Sequence, residues 1–199
     1  MHIRTFIVAI IASLIFTGTG LGQFWAPPST ELTATGGQIN EYFGYSVAID
    51  GDTCVIGAYG TNSSTGSAYL FTRTSGSWSQ VAELTATDGA GSDFFGYSVS
   101  IDGDTCVMGA LGTNTLTGSA YVFTNTDGTW SQSQKLTATG GSSGDYFGNS
   151  VAIDGDTCLI GSNKTNSSTG NAYVFTNDGG TWSRAAELTA TDGASDDNF

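Results

Sequence analysis

From Tyr45 onward the chain alternates, with Tyr45, Val47 and Ile49 set against Ser46, Ala48 and Asp50, the period-two pattern of a half-buried strand. Asp50-Gly51-Asp52 follows, and Asp-Gly between two such runs predicts a tight hairpin turn. The hairpin returns through a second strand over Thr53–Ala58, and residues 59–65 form a polar loop. A third strand covers residues 67–73 around Tyr69, Leu70 and Phe71. Thr74-Ser75-Gly76 turns the chain, a fourth strand covers residues 78–87, and residues 88–93 lead onward. Four short antiparallel strands in about 50 residues make one blade of a β-propeller.

The same pattern then recurs. Leu-Thr-Ala-Thr begins at Leu32, Leu84, Leu136 and Leu188, each step being 52 residues. Phe43-Gly44, Phe95-Gly96 and Phe147-Gly148 keep that step, as do Cys54, Cys106 and Cys158, and Trp78, Trp130 and Trp182. A strict period of this size marks a propeller or another array whose units bury apolar faces against their neighbours. The expected class is all-β, a β-propeller of four-stranded antiparallel blades with three 52-residue blades and an incomplete ring. The units are residues 36–87, 88–139 and 140–191, preceded by a leading strand at 23–35 and followed by the start of a truncated fourth unit at 192–199. Three blades cannot close a ring that needs at least about four, so a longer array is expected, and further blades would be partners of these.

Composition agrees with this reading: 29 glycines, only Pro27 and Pro28, and Thr, Ser, Gly, Val and Asp in every window leave no place for a helix after residue 23. The first residues differ. Arg4 precedes an apolar run from Phe6 to Phe16, and Gly20 and Gly22 suit a cleavage site before Gln23, so residues 1–22 read as a secretory signal. The run is about half the length that spans a bilayer, so no membrane span is expected after cleavage, and the location is secreted, at the cell surface or periplasmic. Cleavage removes His2, the only histidine. It leaves Arg73, Lys135, Lys164 and Arg184 against 18 carboxylates, a net charge of −14. Nucleic acid is excluded as a partner, because phosphate binding needs basic patches.

The units resemble the FG-GAP repeats of integrin α-chain propellers and of many secreted bacterial proteins. The elements that carry the resemblance are Asp93-Phe94-Phe95-Gly96 with Tyr97-Ser98-Val99, then Met108-Gly109-Ala110, then Gly118-Ser119-Ala120-Tyr121-Val122-Phe123, with their counterparts in the other units. The resemblance covers residues 31–199 and is nearest to the bacterial branch, in which the second motif loses its proline, as in Gly57-Ala58-Tyr59. Kelch-like blades share the Gly, Tyr and Trp pattern and remain an alternative. The integrin-type repeat carries a calcium loop of the form D-x-D-x-D-G-x-x-D. Here only Asp50 and Asp52, Asp102 and Asp104, and Asp154 and Asp156 stand in the corresponding place. Two carboxylates on a two-residue turn do not supply the six to eight oxygens that calcium takes, so these are weak calcium candidates, expected to serve as turn residues, and no cofactor is expected.

The remaining chemistry is sparse. Cys54, Cys106 and Cys158 repeat one strand position without a C-x-x-C pair and read as buried core thiols. A nucleophile would lack an imidazole beside it, and the acids recur with the turns, so no catalytic residue is expected and the chain is read as not an enzyme. Symmetry between units breaks elsewhere: Asn149 replaces Tyr45 and Tyr97, Leu116 replaces Ser64, and Asn163 and Lys164 replace Tyr59 and Gly60. Rim loops of propellers carry binding function, which makes Tyr59, Leu111, Leu116, Asn163 and Lys164 the candidate ligand-loop residues. The resemblance implies a non-catalytic scaffold for adhesion or surface interaction with a protein or glycan ligand. The alternative is an accessory propeller of a larger secreted enzyme whose catalytic domain is not in this sequence.

Overall fold

The computed structural model describes residues 31–192. The expected signal segment 1–22, most of the expected leading strand 23–35 and nearly all of the expected fourth-unit start 192–199 lie outside the described residues.

Three sheets of four antiparallel strands follow one another. The first blade holds β1 (Ser46–Asp50), β2 (Thr53–Ala58), β3 (Ser67–Thr74) and β4 (Ser77–Leu84) in that spatial order. The second holds β5 (Ser98–Asp102), β6 (Thr105–Ala110), β7 (Ser119–Thr126) and β8 (Thr129–Leu136). The third holds β9 (Phe147–Asp154), β10 (Thr157–Ser162), β11 (Asn171–Asp178) and β12 (Thr181–Leu188). First strands of neighbouring blades pack closely while fourth strands hardly touch, so each blade is a wedge with its first strand innermost. These are the blades of an all-β propeller, and the three described ones do not close a ring. The fourth strand ends at Leu84, three residues before the sequence pattern suggested. Its partner β3 has run out at Ala68, and Ala86 instead accepts the Gly89 N–H in a turn while its methyl is buried. Residues 31–34 are irregular, with Leu32 and Ala34 packed beside Cys54, Ile56, Tyr69 and Phe71.

Cohesion comes from the seams between blades. One face of the first blade, with Val55, Leu70 and Leu84, meets the opposite face of the second, with Phe95, Val99, Ile101, Met108 and Phe123. The second seam repeats this with Val107, Val122 and Leu136 against Phe147, Cys158, Ile160 and Phe175. Phe95 and Phe147 are fully buried. Phe95 meets Tyr121 and Phe123 edge-on at 5.5 and 5.9 Å, an arrangement favoured by ring quadrupoles.

Hydrogen bonds tie the same seams. The loop after β2 runs through Asn62, Ser63 and Ser64 with φ of 48, 60 and 64°, a left-handed turn in which the carbonyls of Ser63, Ser64 and Thr65 accept N–H groups of Ser92, Phe94 and Phe95. Left-handed backbone costs about 1–2 kcal/mol per residue, so the turn persists because the next blade uses its carbonyls. Asn114, Thr115 and Leu116 repeat it, with Leu116 O accepting from Tyr146 N at 2.9 Å. The Phe-Gly glycine completes the join. Gly96 N–H donates to Gly109 O in its own blade, and its carbonyl accepts the Ser46 hydroxyl of the blade before at 2.8 Å. That carbonyl would lie 2.0 Å from a Cβ at Gly57, so residue 57 must be glycine for the blades to approach this closely. Gly109 and Gly148 repeat the contact at 1.9 Å.

Candidate functional site

The Asp-Gly-Asp turns have a division of labour that composition alone did not reveal. The first carboxylate reaches across the seam: Asp50 Oδ2 accepts the Gly103 N–H at 2.8 Å, and Asp102 Oδ2 accepts the Gly155 N–H at 2.7 Å. The second stays at home. Asp52 Oδ1 accepts from Arg73 Nε at 2.7 Å, Asp104 Oδ1 from Asn125 Nδ2 at 2.9 Å, and Asp156 Oδ1 from Asn177 Nδ2 at 3.2 Å. In the first two seams, then, the inner acids join blades and the outer acids tie the hairpin to the third strand. Among the described residues no group of three or more His, Cys, Asp or Glu side chains is placed to hold a metal ion. Cys54, Cys106 and Cys158 are buried, unpaired and in separate core clusters. Burial raises each thiol, Cys158 to about 12, so these are core residues and not nucleophiles.

The positions that differ between units gather at the other end of the blades. A cavity of about 470 Å³ is lined by Tyr45 and Tyr59 of the first blade, Phe94, Tyr97 and Leu111 of the second, and Tyr146, Asn149 and Asn163 of the third. It therefore draws equivalent positions from three blades and fills them differently: Tyr45, Tyr97 and Asn149 in one row, Tyr59, Leu111 and Asn163 in another. Three of the five candidate loop residues, Tyr59, Leu111 and Asn163, line it. Leu116 lies in the left-handed turn of the second seam instead. Lys164 lines a separate hollow of about 440 Å³ with Asp145, Asn171, Tyr173 and Glu187. The matching place in the second blade is closed by Asp88, which accepts from Lys135 Nζ at 2.6 Å and Tyr121 Oη at 3.0 Å. Gly140 and Glu187 stand where Asp88 and Lys135 would be, so the third blade lacks this ion pair beside its hollow.

The aromatic side of the cavity is a continuous surface. Tyr42 and Tyr59 stack in parallel at 4.8 Å, with 6° between their planes. Tyr45 meets Tyr59 edge-on at 4.6 Å and Tyr97 at 4.9 Å, and Phe94 lies 5.9 Å from Tyr59. Tyr42 and Tyr45 are about half exposed, at 54% and 49%. Hydrogen bonding with Tyr45, and then burial, pushes the Tyr97 hydroxyl up to about 12, and burial raises that of Tyr59, with Tyr42 and Tyr45 adding to it. Both are neutral donors at physiological pH. No charged side chain lines the cavity, although the whole chain carries −13. Within the same lining, the buried Asn163 Oδ1 has no hydrogen-bond partner among the described residues. The arrangement offers stacking faces, hydroxyl donors and amide groups. It suits an uncharged ligand surface, and it holds no base positioned beside a nucleophile.

Sequence reasoning missed Phe94 and Tyr146, together with Tyr42 at the edge. All three sit just before the Phe-Gly phenylalanine with φ near 58°. Positive φ in a bulky residue is uncommon, and here it lets adjacent aromatics diverge, with Phe94 lining the cavity and Phe95 entering the core. The signal available in the sequence was an aromatic residue ahead of Phe-Gly in every unit. No helix among the described residues is long and apolar enough to cross a membrane.

A model of the FG-GAP repeat matches residues 29–71, 78–123 and 130–175. No curated protein matches the chain.

Proposed function

The chain belongs to the FG-GAP repeat family, and on that premise we propose that it is an exported, non-catalytic binding scaffold whose inner-rim cavity takes a protein or glycan ligand. FG-GAP repeats form propeller-type interaction domains, and the adhesive or surface-interaction role is the finer reading. The observation that carries it is the convergence of the divergent positions, Tyr45/Tyr97/Asn149 and Tyr59/Leu111/Asn163, on one cavity. The glycine, serine and aspartate contacts that hold blades together repeat, whereas these two rows at the cavity do not, and a surface freed from the repeat is where recognition can be tuned. Its size is within the range of about 300–1,000 Å³ common for ligand pockets. Large amphipathic rings supply contact area at low entropic cost. The absence of histidine beyond residue 2 supports a non-catalytic role, since a serine or cysteine nucleophile would have no imidazole base beside it.

The test is binding of the immobilised chain to arrays of glycans and to cell-surface proteins, with the double variant Tyr59→Ala/Tyr97→Ala as control. At least a tenfold loss of the captured ligand is expected, about 1.4 kcal/mol or more. Capture unchanged in the double variant, or turnover of an arrayed glycan by the chain itself, would sink the proposal.

A further inference from the structure

Beside the left-handed turn, each blade buries a small polar cluster, and the third blade has rebuilt its own. In the first two blades a serine sits at the centre: Thr61 Oγ1 donates to Ser67 Oγ at 2.8 Å, and Thr113 Oγ1 and Ser119 Oγ share a hydrogen bond of 2.7 Å. In the third blade the serine has moved. Ser162 stands where Ala58 and Ala110 stand, and Asn171 where Ser67 and Ser119 stand. Thr165 Oγ1 now meets Ser162 Oγ at 2.7 Å, so the threonine is satisfied without residue 171. Asn171 keeps the other contact of its position: its Nδ2 donates to Glu187 Oε1, as Ser67 Oγ donates to Glu83 Oε1 at 2.8 Å. An ionised carboxylate only accepts, so this bond fixes which way round the amide lies. The Asn171 Oδ1 is then an added acceptor, without a hydrogen-bond partner among the described residues, on a side chain 1% exposed. A buried acceptor is costly unless something donates to it.

Asn171 lines the hollow of about 440 Å³ together with Asp145, Lys164 and Glu187. Asp145 is buried and held in place, its Oδ2 accepting the Ser142 N–H at 2.7 Å and its carbonyl accepting the Ser162 hydroxyl at 2.8 Å. Lys164 is half-buried and replaces the glycines at 60 and 112. A Cβ at Gly140 would meet nothing within 4 Å, so the place that the Asp88 side chain takes in the second blade is open here. The hollow is braced on the second blade, where Thr115 O accepts the Ser143 hydroxyl at 2.7 Å, and Tyr173 belongs to the second seam.

We propose that this hollow is a binding site of its own, separate from the rim cavity, for one pyranose residue of a neutral saccharide. The ligand class follows from what lines it. A phosphate or carboxylate would face Asp145 and Glu187, while a metal ion would meet the Lys164 ammonium and a Glu187 carboxylate already paired with Arg184. The Tyr173 ring is buried with the Arg184 guanidinium 5.0 Å over it, so no aromatic face is offered to an apolar ligand. A sugar hydroxyl both donates and accepts. Neighbouring hydroxyls of one ring therefore donate to Asn171 Oδ1 and Asp145 and accept from Lys164. The volume is within the range of about 300–1,000 Å³ common for ligand pockets. This inference is independent of what the rim cavity binds.

The probes are the methyl pyranosides of glucose, galactose and mannose, together with N-acetylglucosamine, each titrated into the isotope-labelled full chain. Nuclear magnetic resonance reads the Asn171 side-chain amide and the backbone amides of residues 139–145. Saturable shifts there are expected with at least one of the four sugars, and they are expected to persist in Tyr59→Ala/Tyr97→Ala, which alters only the rim cavity. Asn171→Ser and Lys164→Gly give the third blade the residues of the second, and each is expected to weaken binding at least about tenfold. Circular dichroism checks that the blades persist, and the half-buried Lys164 position serves where the buried Asn171 change unfolds the chain. The proposal is overturned by the lack of a saturable shift with every sugar, or by a site that responds only to phosphate or to free glycine. It is equally overturned by shifts that vanish in the rim double variant, or by affinity unchanged in both third-blade variants.

Discussion

The seam between the first two blades and the rim cavity are built from the same repeat, yet they treat it in opposite ways. At the seam, the polar ties and the buried phenylalanine keep their residue while aliphatic positions exchange only one apolar side chain for another, Leu70 for Val122 and Met108 for Ile160: Ser46 and Ser98 donate to the Gly96 and Gly148 carbonyls, Asp50 and Asp102 accept from Gly103 and Gly155, and Phe95 and Phe147 are fully buried. At the cavity, equivalent positions change from Tyr45 to Asn149 and from Tyr59 to Asn163. Shape sets this difference. A seam has no room for a new side chain, because the Cβ of any residue at 109 would meet the Gly148 carbonyl at 1.9 Å. The cavity is open, and its residues answer to whatever occupies it. Repetition of the polar ties in this molecule therefore marks cohesion, and the divergence that gathers at the cavity marks a surface available for recognition.

The sharpest way to break the comparison is to remove a seam aromatic. Phe95→Ala takes a fully buried ring from between two blades, and a loss of about 3–5 kcal/mol is expected in urea denaturation. Tyr45→Ala, at a half-exposed cavity ring, is expected to cost under about 1 kcal/mol. Equal costs would show that the cavity is part of the cohesive structure. A smaller effect is expected at the polar tie across the seam. Asp102→Ala removes the acceptor for the Gly155 N–H and is expected to lower stability by about 1 kcal/mol, since the group is near solvent. A melting temperature unaltered by this change would mean that the tie only follows the apolar packing.

The smallest effect distinguishes the closed space in the second blade from the open hollow in the third. The hydrogen bond from Lys135 holds the Asp88 carboxyl below its ordinary value, with Tyr121 adding to it. Burial works against the charge of Lys135, but hydrogen bonds to Asp88 and Tyr121 outweigh it and raise that group. Asp88 therefore contributes stability that is present above about pH 4 and is lost as pH falls through its depressed value. The Lys135 contribution is present below about pH 10.4 and is lost as pH rises through its raised value. With side chains 28% and 50% exposed, the pair is worth under about 1 kcal/mol. Asp88→Asn is expected to flatten the stability profile below about pH 4 by that amount, measured as denaturation midpoints across the acid range.

Much of the fold was legible because hydrophobic alternation, Asp-Gly turns and a fixed period are local signals. Tyr45 to Ile49 read as a strand because a pleated sheet sends alternate side chains to opposite faces, and the 52-residue step fixed which positions are equivalent. The site was legible only in part. Tyr59, Leu111 and Asn163 stood out as differences between units, but Lys164 and Leu116 stood out equally and lie elsewhere. Phe94 and Tyr146 carried no signal of their own beside the phenylalanines that follow, and only a positive φ sets them apart. Taken by itself, the sequence determined the blade, its register and its count, because these rest on interactions within about 50 residues. Only the tertiary structure decided which carboxylate crosses a seam, which glycine admits a neighbouring carbonyl, and which three rows of side chains meet in one cavity. Those outcomes depend on the angle at which wedge-shaped blades pack, and no local pattern in the chain records that angle.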